Sequence, residues 1–133
     1  MIKYALAAAA LLQFAGISAA QGNAPAGTIP VRFACGGVGD GEQQMIKEAA
    51  PRHSALLTFA AKSGAYVADV DVKISNAAGQ TVLQGLCTGP MMLVDLPQHG
   101  RYVVEASFKG EAQRQTITVG DKTARAIFTW PLS

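Results

Sequence analysis

The stretch Tyr66 to Gly110, YVADVDVKISNAAGQTVLQGLCTGPMMLVDLPQHGRYVVEASFKG, reads as four β-strands joined by turns, and it decides the fold class. Tyr66, Ala68, Val70, Val72 and Ile74 alternate with Val67, Asp69, Asp71, Lys73 and Ser75. A period of two with one polar face is that of a half-buried antiparallel strand. Asn76-Ala77-Ala78-Gly79 is turn chemistry, and Thr81 to Cys87 returns as the partner strand of a hairpin. Gly89-Pro90 ends that hairpin. Met91 to Leu96 is apolar on both faces and reads as a central strand, and Pro97 to Gly100 makes the next turn. Tyr102, Val104, Ala106 and Phe108 then resume the alternation.

Outward from this stretch the same signals recur. Val31 to Cys35 and Ser54 to Ala60 read as strands on the N-terminal side, and Gln113 to Val119 and Thr123 to Trp130 on the C-terminal side. Between the first two lies one short helix near residues 41–51. Asp40 is placed as its N-cap, Gln43 completes a capping box, and Pro51 limits it to about three turns. Met45, Ile46, Ala49, Ala50 and His53 form its expected apolar face. About eight strands at spacings of 8 to 12 residues and one helix predict a mainly β protein, a seven- to eight-stranded antiparallel β-sandwich.

The chain has 133 residues, half of them hydrophobic, enough for one domain with a real core. Residues 1–20 have the layout of a cleaved signal peptide: Lys3, an apolar run from Tyr4 to Ile17, then Ser18-Ala19-Ala20 before a cut at Gln21. The run is too short and too Ala-rich for a bilayer span, so the mature chain is expected to have no transmembrane segment and to be periplasmic or secreted. Residues 21–30, with two Pro and two Gly, read as a flexible linker to a single domain over 31–133. Removing Lys3 leaves ten basic against nine acidic residues, with the basic ones scattered singly along the sequence. That balance argues against nucleic acid, whose binding needs clustered positive charge. Cys35 and Cys87 are the only cysteines, and in an oxidising compartment they are expected to pair.

Asp69-Val70-Asp71-Val72-Lys73-Ile74, the turn ending in Gly79, and Leu96-Pro97 followed by Gly100-Arg101-Tyr102 together resemble the carboxypeptidase regulatory-like domain. That resemblance covers roughly residues 66–130 and implies a transthyretin-type β-sandwich. It also implies an accessory, non-catalytic module, and together with the export signal this leads to the expectation of an exported module that binds a protein or cell-envelope component. The chain departs from the pattern by having two residues, Gln98 and His99, between Pro97 and Gly100 instead of one.

Several residue groups suggest more specific chemistry. The loop Gly36-Gly37-Val38-Gly39-Asp40-Gly41 could present backbone amides to an anion, but it lacks the Gly-Lys-Ser/Thr end of a phosphate loop, and Asp40 and Glu42 oppose a negative ligand. Asp69 and Asp71 are expected on one strand face, within about 7 Å of each other. Met91, Met92 and His99 are the candidates for a copper or zinc site, although the two Met are expected on opposite faces of a strand. A small-molecule or metal-binding envelope protein, using the glycine loop or the His99 turn, is the alternative to a protein-binding role. His53 adjoins Ser54, but neighbours at such a junction diverge, and no nucleophile elbow is present. The transthyretin-like hydrolases end in Tyr-Arg-Gly-Ser, whereas this chain ends Thr129-Trp130-Pro131-Leu132-Ser133. The sequence thus predicts no enzyme, no catalytic residue and no cofactor. It leaves two loops as candidate interaction sites: Gly36, Gly37, Gly39 and Asp40 in one, Gln98 and His99 in the other.

Overall fold

The computed structural model describes residues 31–132; the expected signal peptide and linker lie outside the described residues. Eight strands form two four-stranded sheets that pack face to face as a β-sandwich. The strands are β1 (Arg32–Gly36), β2 (Ala55–Ala61), β3 (Val70–Asn76), β4 (Thr81–Cys87), β5 (Met91–Asp95), β6 (Gly100–Phe108), β7 (Glu111–Val119) and β8 (Ala124–Trp130). The first sheet has the order β1-β5-β2-β8 and the second β4-β3-β6-β7. All pairings are antiparallel except that of β2 with β8, which run parallel. The sequence predicts a wholly antiparallel sandwich. The exception arises because β8 re-enters the first sheet after the whole second sheet has been built.

Two turns join strands of one sheet as hairpins. Between β3 and β4, the Asn76 side-chain amide oxygen Oδ1 accepts from the backbone N–H of Ala78 at 3.0 Å and of Gln80 at 2.9 Å. Gly79 there has φ 85°, a value that a side chain would strain. Between β6 and β7, Lys109 and Gly110 both have positive φ, 51° and 83°, as a two-residue hairpin matched to strand twist requires.

Other connections that the sequence suggests are turns within a sheet instead carry the chain between sheets. Gly89-Pro90 passes from β4 in the second sheet to β5 in the first, and Leu96 to His99 passes back to β6. The first half of the predicted strand from Tyr66 is also such a crossover. Tyr66 makes one isolated bridge with Ala60, Val67 N–H donates to the Phe59 carbonyl at 3.1 Å, and the backbone then reverses at Asp69, φ 62°. Asp tolerates this left-handed conformation better than most residues. β3 therefore starts at Val70, and Asp69 does not share a strand face with Asp71.

The main core lies between the sheets. It takes Leu57 and Phe59 from β2, Met92 and Val94 from β5, Phe128 and Trp130 from β8, and Val70, Val72, Ile74, Tyr102, Val104 and Ile117 from the second sheet. Alternation fixes which residues these are, since every second side chain of a strand faces the same way. β5 is apolar on both faces because its other face also has a cover: Met91 and Leu93, with Leu56 of β2, pack under the helix α1 (Asp40–Ala49) through Ile46, Ala49 and Ala50. A 3-10 turn, Ala50–Arg52, follows α1 and contains Pro51. Met45, expected on this apolar face, is 68% exposed, because Ile46, Ala49 and Ala50 define a stripe that Met45 precedes by about 100°.

Each open side of the sandwich is tied. On one, Cys35 of β1 and Cys87 of β4 form a disulfide, with Cα atoms 5.6 Å apart. The Phe33 ring lies over Gly85 of β4, where a Cβ would stand 3.2 Å from the ring. On the other, the Gln115 side-chain amide donates to the Ile127 carbonyl at 2.6 Å and the Trp130 indole N–H donates to the Glu111 carbonyl at 2.8 Å. These bonds join β7 to β8.

Candidate functional site

The glycine loop after β1 does hold an anion, and the anion is internal. One carboxylate oxygen of Glu42, Oε1, accepts from the backbone N–H of Gly37 at 2.7 Å and of Val38 at 2.8 Å. The Gln43 side-chain amide donates to the Gly37 carbonyl at 3.0 Å. The expected capping box is therefore replaced: α1 begins at Asp40, its N-cap is Gly39 with φ 88°, and no side chain caps it. Glu42 and Gln43 instead reach backward and fix the loop to the first turn. Replacing Glu42 with Ala is expected to lower stability by about 1 to 2 kcal/mol, because two amides lose a charged acceptor. Urea denaturation measures the change, and an unchanged midpoint would contradict it.

Gln98 and His99 are exposed, in the crossover between β5 and β6. The Tyr102 hydroxyl donates to the Gln98 carbonyl at 2.7 Å, so the crossover is anchored on a buried ring of β6. Tyr102→Phe is expected to cost about 1 kcal/mol while leaving the fold intact. Thermal melting with hydrogen exchange over residues 97–100 would register both the loss and its location. His99 borders a hollow of about 250 Å³ with Asn76, Ala77 and Arg101. The two predicted loops do not converge: the hollow beside Gly37, Val38 and Gly39 is lined instead by Tyr66, Val67 and Pro90.

The alternative chemistries disperse in the same way. Met91 is buried beneath α1, Met92 is buried in the main core, and His99 is exposed, so these three side chains do not meet. Among the described residues, no group of three or more His, Cys, Asp and Glu is placed to hold a metal ion. His53 Nδ1 lies 2.9 Å from Asp95 Oδ1, while the Ser54 hydroxyl turns to the Leu96 backbone, accepting from its N–H at 2.9 Å. The Thr123 hydroxyl lies 2.7 Å from the Ala50 carbonyl oxygen. These polar groups pin β2, β5 and β8 together at one end of the first sheet.

Two surfaces that the sequence does not single out carry more suggestive geometry. On the outer face of the first sheet, α1 covers β5 and part of β2 but leaves β8 bare. The result is a groove of about 460 Å³ bordered by Lys47, Thr58, Tyr66, Arg125 and Ile127. Tyr66 also lines the hollow at the glycine loop, so Val38, Tyr66 and Ile127 form one apolar strip, 72%, 44% and 62% exposed respectively. Only Ile127 carried a sequence signal, as the apolar outward residue of an otherwise polar alternation in Arg125-Ala126-Ile127-Phe128-Thr129.

On the outer face of the second sheet, cross-strand register brings Lys73 of β3, Glu105 of β6 and Arg114 of β7 into one row. Glu105 lies 3.9 Å from Lys73 Nζ and 3.7 Å from Arg114 Nη2. These residues and Arg101 border a hollow of about 500 Å³ floored by Ser75, Val103 and Thr116. Three basic residues that lie far apart in the sequence, Lys73, Arg101 and Arg114, are thus gathered on one face. The class these features define is a disulfide-stapled β-sandwich with one α-helix among the described residues and open depressions on the outer faces of both sheets. No protein-family model matches the chain, and no curated protein matches it.

Proposed function

We propose that the protein is a non-catalytic, exported β-sandwich module of the carboxypeptidase regulatory-like, transthyretin type, which binds a protein component of the cell envelope. The apolar strip Val38–Tyr66–Ile127 beside α1 carries this reading. A run of exposed large apolar side chains from the glycine loop, the crossover and β8 is characteristic of an interaction surface. Its rim supplies the sign of the partner: Lys47 and Arg125 make no ion pair among the described residues. The fitting partner is a segment with apolar side chains flanked by acidic ones. The Cys35–Cys87 disulfide is compatible with an oxidising, exported location. His53 and Ser54 being engaged in structural bonds supports a non-catalytic role.

The test places a photo-crosslinking residue at Thr58, within the groove, in cells that export the protein. A single envelope protein should be captured through an apolar, acid-flanked segment, and Ile127→Lys should abolish the capture. Capture that survives Ile127→Lys, or recovery of the uncrosslinked protein alone, would overturn the reading. Cell fractionation of the same samples checks export independently.

A further inference from the structure

We infer that the outer face of the second sheet is a binding site for an acidic saccharide, a ligand chemistry distinct from that of the groove beside α1. The two hollows on this side share Asn76, Ala77 and Arg101 as lining residues, so they join into one trough. The trough runs from the Lys73–Glu105–Arg114 row, past Arg101, to His99 in the lengthened crossover. Along β6, Arg101 and Glu105 are four residues apart, about 13 Å at the rise of a strand. A ligand contacting both ends is therefore extended and carries more than one negative group.

The charges indicate the sign. Three cations, Lys73, Arg101 and Arg114, line the hollow with one carboxylate, Glu105, and the adjoining hollow beyond Lys73 and Glu105 adds one more, Asp71, so cations remain in excess. Both ion pairs of Glu105 are long and solvent-exposed, so they hold their cations weakly. Arg101 makes no ion pair among the described residues. A guanidinium meets a carboxylate with two parallel N–H donors, so Arg101 and Arg114 suit sugar carboxylates at successive positions.

The remaining lining selects among anions. Ser75 and Thr116 line the trough with their hydroxyls. With Glu105 as an acceptor, they match the hydroxyl groups of a sugar. None of the exposed large hydrophobic residues lines these two hollows; Leu86 lines the adjoining hollow beyond Lys73 and Glu105, so between Lys73 and His99 there is no anchor pocket of the kind peptides use. Tyr102 is buried with its hydroxyl engaged by Gln98, and the His99 imidazole at one end is the single exposed ring, so no series of rings is present to stack successive nucleic-acid bases. Hydroxyls, a carboxylate and spaced cations without apolar anchors correspond to a polyhydroxylated anion.

The experiment follows the backbone amides of the oxidised protein by NMR during titration with a uronic-acid hexasaccharide. A neutral glucose hexasaccharide and a glutamate hexapeptide serve as comparisons. Shifts should concentrate at Lys73, Arg101, Arg114 and Thr116 with the uronate alone, and weaken as salt is raised. Arg101→Gln and Arg114→Gln should each lower affinity about tenfold with the thermal melt unchanged, whereas Arg52→Gln on the 3-10 turn should leave affinity unaltered. Absence of uronate shifts, equal binding of the neutral sugar or of the glutamate peptide, or full affinity in Arg101→Gln would each overturn the assignment.

Discussion

Replacing Cys35 and Cys87 together with Ala is expected to destabilise the protein by about 4 kcal/mol and lower its melting temperature by roughly 20 °C. The bond closes a loop with a sequence separation of 52, and releasing that constraint enlarges the unfolded ensemble. Its position adds a local effect. β1 is an edge strand of five residues whose sole strand partner is β5, and the disulfide is what holds it to β4 of the opposite sheet. Without the bond, β5, the Phe33 ring over Gly85 and the contacts of its last residue, Gly36, with α1 retain it. Amides of residues 32–36 should then exchange with solvent well before those of β2 or β6. Denaturant melts of the oxidised protein and the double variant test the magnitude. A difference below about 1 kcal/mol would mean that the reduced unfolded chain is already compact.

Trp130→Ala is expected to cost about 3 to 5 kcal/mol, the range for removing a buried aromatic side chain. Trp130 is completely buried at the last position of β8. Its ring centroid lies 5.7 Å from that of Phe108 in β6 and 6.4 Å from that of Phe59 in β2, so it packs against both sheets. The indole N–H also satisfies the Glu111 carbonyl at the start of β7. Trp130→Phe separates the two contributions: it keeps much of the apolar area but leaves that carbonyl without its donor. An intermediate loss of about 1 to 2 kcal/mol is expected for Phe. Equal losses for Ala and Phe would assign the effect to the hydrogen bond and contradict the packing account.

Much of the sandwich was legible in the residues. β4 runs from Thr81 to Cys87 as the alternation indicates, and the Asn76–Gly79 turn has the hydrogen bonds that Asn and Gly there imply. The disulfide followed from having two cysteines and an expected oxidising compartment. The misreadings share a cause: each residue's propensity was sound, but a competing contact decided the outcome. Asp40 is a good N-cap residue, yet Glu42 reaches the amides of Gly37 and Val38 and fixes the helix start without it. The alternation at Tyr66 to Ala68 is real, yet those residues cross from one sheet to the other, and Asp69 turns the chain there.

The candidate binding surfaces were least legible because neither is contiguous in sequence. Lys73, Arg101 and Arg114 lie on three strands, and only the register of β3, β6 and β7 puts them around one hollow. Tyr66 and Ile127 likewise meet only because β8 runs beside β2 while α1 stops short of covering both.

By itself the sequence determined the strands, the hairpin turns, the helix and the cysteine pair, because these depend on side-chain period, turn conformation and covalent chemistry within a few residues or in one compartment. The tertiary structure alone decided the parallel β2–β8 pairing, the crossovers between sheets and the trough of cations, because each depends on which strands become neighbours. Neighbourhood is set by how two sheets bury their apolar faces against each other, and that is a property of the whole chain.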